Sequence, residues 1–311
     1  MSTPHWLRGH AAAATITFDV DAETPILAQG SAVAAHAMTM SHQAYGPDVG
    51  VPRLLDILDQ VGIRSTFFVP GWVAETRPDL APKIVDRGHE VAHHSYSHRS
   101  ATSLSPGEER QDFERAFDVF QSQGIELSGH RAAMWEATER TPGLVREFGL
   151  LYDSSLMGDD KPYRLVDADD RPLVELPVHW SLDDWEQYAF LPEPSIGSVI
   201  ESPEKVLGMW KLEIDAMCEF GSLFNLCCHP FLSGRPSRAV ALRTLIEYGL
   251  EQGVRFATCR EIALDALADP QVRELGDRDM IIDTSAYPFP AHGDRARTFE
   301  DPGRSIIEYR P

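Results

Sequence analysis

The run Thr15-Ile16-Thr17-Phe18-Asp19-Val20-Asp21 places two carboxylates one residue apart. On a strand, Ile16, Phe18 and Val20 share one face, and Thr15, Thr17, Asp19 and Asp21 share the other. Like charges projecting together repel unless a cation or a proton lies between them. The plain alternative is a pair of solvated loop acids. In His93-His94-Ser95-Tyr96-Ser97-His98, the second and last histidines are four apart, so one helical turn would stack His94 and His98 on one face. Imidazoles at that spacing are good metal ligands, although an isolated pair is as readily two ordinary polar histidines. In combination, one carboxylate and two histidines make the ligand set of open Zn²⁺ or Fe²⁺ sites.

Three further features could serve such a site. His229, after Leu226-Cys227-Cys228, closes an apolar run and is a candidate general acid, since an imidazole ordinarily titrates near neutral pH. Arg131, in Gly129-His130-Arg131-Ala132-Ala133-Met134-Trp135-Glu136, could hold a carboxylate ionised and oriented, or form a surface salt bridge. Asp183 and Asp184 lie between Trp180 and Trp185. They could orient His229 or line a pocket, or they could be helix-start acids favoured by the dipole.

The elements that must position these groups alternate. Strands are expected at TITFDV, RSTFFV, HEVAHH, GHRAAM, LLYDSS, LVELPV, SLFNLCC and VRFATC, with amphipathic helices between most of them. After Ser105, Pro106 suits the first helical position and Glu108 completes a capping box; Phe113, Phe117 and Phe120 form a stripe that Gly124 ends. Ser202-Pro203-Glu204 opens a second helix, and a third is expected over 238–252. Seven or eight strands alternating with helices predict a parallel α/β fold, a barrel in preference to an open sheet because no nucleotide-binding glycine motif is present. Residues 1–268 are expected to form the catalytic barrel and 269–311 a polar extension.

Composition narrows the partners. The 311 residues carry 28 Lys+Arg against 48 Asp+Glu, a net charge of −20. Such a surface repels phosphate backbones and anionic lipid, which argues against nucleic acid and membrane partners. Cys218, Cys227, Cys228 and Cys259 have no C-x-x-C spacing, and the N-terminus has no signal-peptide pattern. Reduced core thiols in a cytoplasmic protein are therefore expected.

The ordered set TFDVDAE, H-S-x-S-H, R-A-x-x-W, DSS and L-x-x-H-P resembles the polysaccharide deacetylase family, the NodB-homology carbohydrate esterases, over roughly residues 14–265. The resemblance implies an irregular (β/α) barrel holding one divalent metal, usually zinc. It implies Asp21, His94 and His98 as ligands, Asp19 as general base, His229 as general acid, and Arg131 as the brace of the base. Trp135 would lie on the groove wall, with Glu136 and Tyr96 as further expected substrate contacts; Asp183 is expected to align His229. The first motif departs from the usual T-F-D-D-G, and the Pro of R-x-P is Ala133. These departures, Trp135-Glu136 and the L-D-D-W segment are similar to a subgroup of peptidoglycan deacetylase-like proteins, cyclic imide hydrolases and allantoinase-like enzymes.

Three functions follow as expectations: removal of N-acetyl groups from carbohydrate, hydrolysis of small cyclic imides or ureides at the same metal, and a non-catalytic binding role, which the complete set of polar positions disfavours. A homo-oligomer is compatible with all three. The long segment 22–51 is expected to be a loop that narrows the site or docks on a neighbouring subunit.

Overall fold

A computed structural model describes residues 4–277 apart from 193 and 198. Its strands are β1 (Ala13–Asp19), β2 (Thr66–Val69), β3 (Glu90–His93), β4 (Gly129–His130), β5 (Tyr152–Asp153), β6 (Tyr163–Val166), β7 (Pro172–Glu175), β8 (Leu191–Pro192), β9 (Ser195–Ile196), β10 (Leu223–Cys228), β11 (Arg255–Phe256) and β12 (Glu274–Gly276). The main sheet runs β10-β1-β2-β3-β4-β5-β7-β6-β12, with β11 also on β1. All its pairs are parallel except β6–β7. Each of the eight expected runs contains a strand.

The hydrogen-bonded path is open, yet it curls back on itself. The chain after β7 makes a single parallel bridge, Asp183 to Cys227 on β10. Below it, the buried Asn225 amide donates to the Leu176 and Pro177 carbonyls at 3.1 and 2.9 Å. One side chain thus does the pairing that a continuous ladder would do, because a buried carbonyl left unpaired is costly. Asn225 is legible in the sequence as the one polar residue inside an apolar strand.

Helices pack outside this sheet. Helix Pro106–Ser122 shows both halves of the expected capping box and buries Phe113, Ala116 and Phe120. Helix Pro203–Phe220 buries Val206, Trp210 and Ile214, and helix Pro236–Glu251 buries Leu242, Leu245 and Ile246. Burial contributes roughly 1.5–3 kcal/mol for each large apolar side chain. Among the described residues no helix is long and apolar enough to cross a membrane. The four cysteines are free, and three of them are buried.

Two expectations about segments change. Residues 22–51 are largely helical rather than an irregular loop: helices Thr24–Leu27 and Ala37–Tyr45 are followed by a π turn over Gly46–Gly50. Weak amphipathicity and three glycines hid this, because the segment is held by tertiary packing. A Cβ on Gly50 would stand 2.2 Å from the Pro230 carbonyl oxygen, so only glycine allows that approach. Residues 269–277, the described start of the expected extension, add β12 to the sheet edge, where Arg146 and Asp277 pair at 2.6 Å. Residues 278–311 of that extension lie outside the described residues.

Candidate active site

The C-terminal ends of β1, β3, β4 and β10 meet at one rim. Thr17 and Asp19 of β1 face the same interior, as the alternation predicts, since both accept hydrogen bonds from Arg131. Asp21 lies just beyond the strand. Asp21 Oδ1 lies 3.3 Å from His94 Nε2 and 3.4 Å from His98 Nε2.

His94 and His98 are neighbours, but not by helical stacking. The chain leaves β3 at His93 and turns through Ser95 and His98, which have φ of 59° and 56°. Buried Asp112 clamps this turn, accepting the backbone N–H groups of Tyr96 (2.8 Å) and Ser97 (3.1 Å) and the Ser97 hydroxyl. Left-handed backbone at non-glycine residues costs energy and persists only where the surroundings impose it. Asp112 comes from a helix 15 residues further on than Ser97, and nothing local in the sequence marks it.

The donor set fits a metal. His94 Nδ1 lies 2.7 Å from the Arg131 carbonyl, which can only accept, so Nδ1 carries the proton and Nε2 presents its lone pair. Among the described residues, His94 Nε2 and Asp21 Oδ1 are buried with no hydrogen-bond partner. Metal–ligand bonds of about 2.0–2.1 Å at the tetrahedral angle put donor atoms about 3.3 Å apart, matching the observed spacing. Burial alone would raise the Asp21 carboxyl, but His98, His94 and His229 hold it well below the ordinary carboxylate range.

Asp19 and His229 flank this triad. Arg131 is fully buried and spends every nitrogen: Nε donates to the Ser154 carbonyl (3.0 Å), Nη2 to the Ser154 hydroxyl (3.0 Å), and Nη1 to Thr17 (2.9 Å) and Asp19 Oδ1 (2.7 Å). The surface salt-bridge alternative for Arg131 is thereby excluded. The DSS run acquires a role here: Asp153 lies 2.6 Å from His130 Nδ1, Ser154 holds Arg131, and the Ser155 hydroxyl accepts the Ala132 N–H. The expected strand GHRAAM is cut to two residues because the chain turns at Ala133–Trp135.

On the other flank, His229 Nε2 faces Asp21 Oδ2 at 3.5 Å. The alignment expected from Asp183 is made by Asp184. Asp184 Oδ1 lies 2.7 Å from His229 Nδ1 and accepts the His229 backbone N–H at 2.8 Å, while its Oδ2 accepts the Ser233 hydroxyl. Asp183 stands 3.5 Å from the ring and is turned to the Trp185 N–H. The bridge to Cys227 sets this rotation, which adjacent identical residues cannot reveal. Burial would lower His229, but the hydrogen bond to Asp184 and the charges of Asp183, Asp184 and Asp21 raise it to about 10. Burial pushes Asp183 up to about 7, with Asp184 adding to the effect and His229 opposing it.

The expected substrate contacts divide. Trp135 is buried against Val178 and Cys227. Glu136 is exposed, next to the buried Trp135. Tyr96 is turned away: its hydroxyl donates to Glu75 and its ring lies under Arg115, between helices Gly71–Thr76 and Pro106–Ser122. The Asp112 clamp and the left-handed Ser95 direct it there.

Fold and site together define a hydrolase with a candidate metal centre at the rim of a parallel α/β sheet. The polysaccharide deacetylase family pattern matches residues 43–150. A peptidoglycan deacetylase-like protein of Gibberella zeae is 30% identical over 72% of this chain and 77% of its own length. A peptidoglycan deacetylase of Helicobacter pylori is 29% identical over 73% and 87%. A solved structure from Mycobacterium smegmatis, described as a polysaccharide deacetylase, superposes with a TM-score of 0.81 and 47% identity over 84% of this chain and 91% of that one. The chain belongs to the polysaccharide deacetylase family, metal-dependent hydrolases of carbon–nitrogen bonds other than peptide bonds.

Proposed function

We propose that this protein removes N-acetyl groups from carbohydrate, with Asp19 as general base and His229 as general acid. The carrying observation is the pair of oppositely braced groups, Asp19 on Arg131 and His229 on Asp184, on either side of Asp21, His94 and His98. Those three residues would hold one divalent cation, Zn²⁺ by the donor set, which when bound supplies Lewis-acid polarisation and a more acidic water. Arg131 holds Asp19 Oδ1 at 2.7 Å and aims the carboxylate, so that Asp19 takes the proton of the attacking water. His229, cationic through Asp184, gives its proton to the leaving nitrogen. The acetamide C–N bond breaks, and acetate and the free amine result.

One observation favours a small substrate over a long polymer. Asp19, Asp21, His94, His98 and His229 are each exposed by 6% or less, so the reacting groups are recessed below the surface. Cyclic imides or ureides remain the second reading on that ground. The deciding experiment is acetate release from N-acetylglucosamine oligomers, run beside succinimide-type rings and allantoin with Zn²⁺-replete enzyme. Turnover confined to the rings would overturn the carbohydrate reading.

A further inference from the structure

Trp180 belongs to no element of the machinery above, yet it stands next to it. Its ring packs on Trp135 with centroids 4.6 Å apart and planes at 31°. Trp135 is nearly buried and rests with Val178 on Cys227. The Cys227 sulfur lies within 4.8 Å of carboxylate and imidazole atoms of Asp19 and His229. Trp180 itself is 50% exposed, so one part of the indole is backed by Trp135 and the rest faces solvent.

The support is built rather than incidental. Met134 and Trp135 are consecutive non-glycine residues with φ of 58° and 57°, a conformation that carries strain and gathers at functional sites. The turn Trp180–Leu182 is pinned from behind, where Trp210 Nε1 donates to the Ser181 carbonyl at 2.8 Å. A leaving nitrogen must come within hydrogen-bond reach of His229 to be protonated, so the ring bearing it extends outward from that side. On that side the contacts Cys227–Trp135–Trp180 lead outward from Asp19 and His229 to an indole with a free apolar surface.

We infer that Trp180, seated on Trp135, is the stacking platform for the saccharide ring that carries the scissile acetamide. This rests on the carbohydrate reading above and adds the residue that selects the ring. A pyranose presents a face of C–H groups that packs flat on an indole, and rigid aromatics give contact area at little entropic cost.

The test is steady-state acetate release from N-acetylglucosamine oligomers by Trp180→Ala and Trp180→Phe. Trp180→Ala should raise KM about tenfold with kcat within about twofold and metal content unchanged; Trp180→Phe should restore most of the KM. An unchanged KM, or a loss confined to kcat, overturns the inference. A second measurement separates it from the proposed function. The trimer is titrated into Asp19→Asn protein with and without Trp180→Ala, following tryptophan emission. Saturable quenching that depends on Trp180 supports the platform even if the wild-type enzyme releases no acetate, an outcome that overturns the deacetylase reading alone. No saturable binding in Asp19→Asn protein overturns the platform.

Discussion

The base side and the acid side of the site are held by different kinds of structure. Asp19 is fixed from inside the curled sheet, since Arg131 locks it to Thr17 and Ser154 and stacks on the Phe68 ring at 4.1 Å. His229 is fixed from outside. Asp184 holds the ring and is itself held by the Ser233 hydroxyl, and the segment 22–51 backs the stretch that carries His229: Gly46 and Gly50 pack on Phe231 and Pro230, and His42 meets Phe231 and Arg235. A strand-borne network resists local perturbation, because any shift breaks several buried hydrogen bonds together. A contact made by an inserted segment can be loosened alone. The acid side is therefore the one on which distant substitutions should act.

The largest effect lies between the two sides. A His94→Ala, His98→Ala double variant should lose its stoichiometric metal and its activity to background, checked by elemental analysis and acetate release; full metal retention would refute the ligand assignment. Next, Asp19→Asn and His229→Ala should each lower kcat by about two to four orders of magnitude with metal content preserved, which would show equal chemical weight on both sides. Near wild-type turnover in either variant removes its role.

The braces should come third. Asp184→Asn should cost roughly 10- to 100-fold in kcat, and Asp183→Asn less, because Asp184 alone holds the ring. Arg131→Ala should lower turnover and also the thermal midpoint, since it leaves the buried Asp19 carboxylate without its cation. A larger loss from Asp183→Asn than from Asp184→Asn would reverse the assignment.

The sharpest test of the asymmetry is Gly50→Ala. Its methyl group must displace the Pro230 backbone, at a cost of about 1–3 kcal/mol, and it should lower kcat while metal content stays unchanged. Wild-type kcat with lowered stability would show that the acid side does not depend on the insertion. The smallest effect is on pH. Burial, with Arg235 and Arg238, lowers His42 to about 4. As pH falls below about 6.5 the unfolded chain takes up a proton that the folded His42 refuses, so stability is full above that pH and declines toward pH 4. Thermal midpoints of metal-free wild type should fall over this window more than those of His42→Gln; parallel curves would remove His42 from the account.

How much of this was legible depends on how far apart the partners lie. The eight strand runs, the capping box at Ser105 and the alternation that puts Thr17 and Asp19 on one face are written in local pattern, because a period of two and a cap of three residues need no distant information. The residue types of the site were likewise determined by the sequence: two aspartates, two histidines, one arginine and one histidine after an apolar strand. Their partners were not. His94 and His98 meet through a left-handed turn clamped by Asp112 rather than through a helix. Asp184 holds His229 rather than Asp183 because a single bridge to Cys227 decides which of two adjacent acids faces the ring. Tyr96 left the site, Trp180 joined its edge, and residues 22–51 became helix against Pro230. In each case the deciding contact comes from a different element of the fold, and side-chain direction at a turn is set by whichever buried group satisfies the backbone there. That is information only the assembled tertiary structure contains.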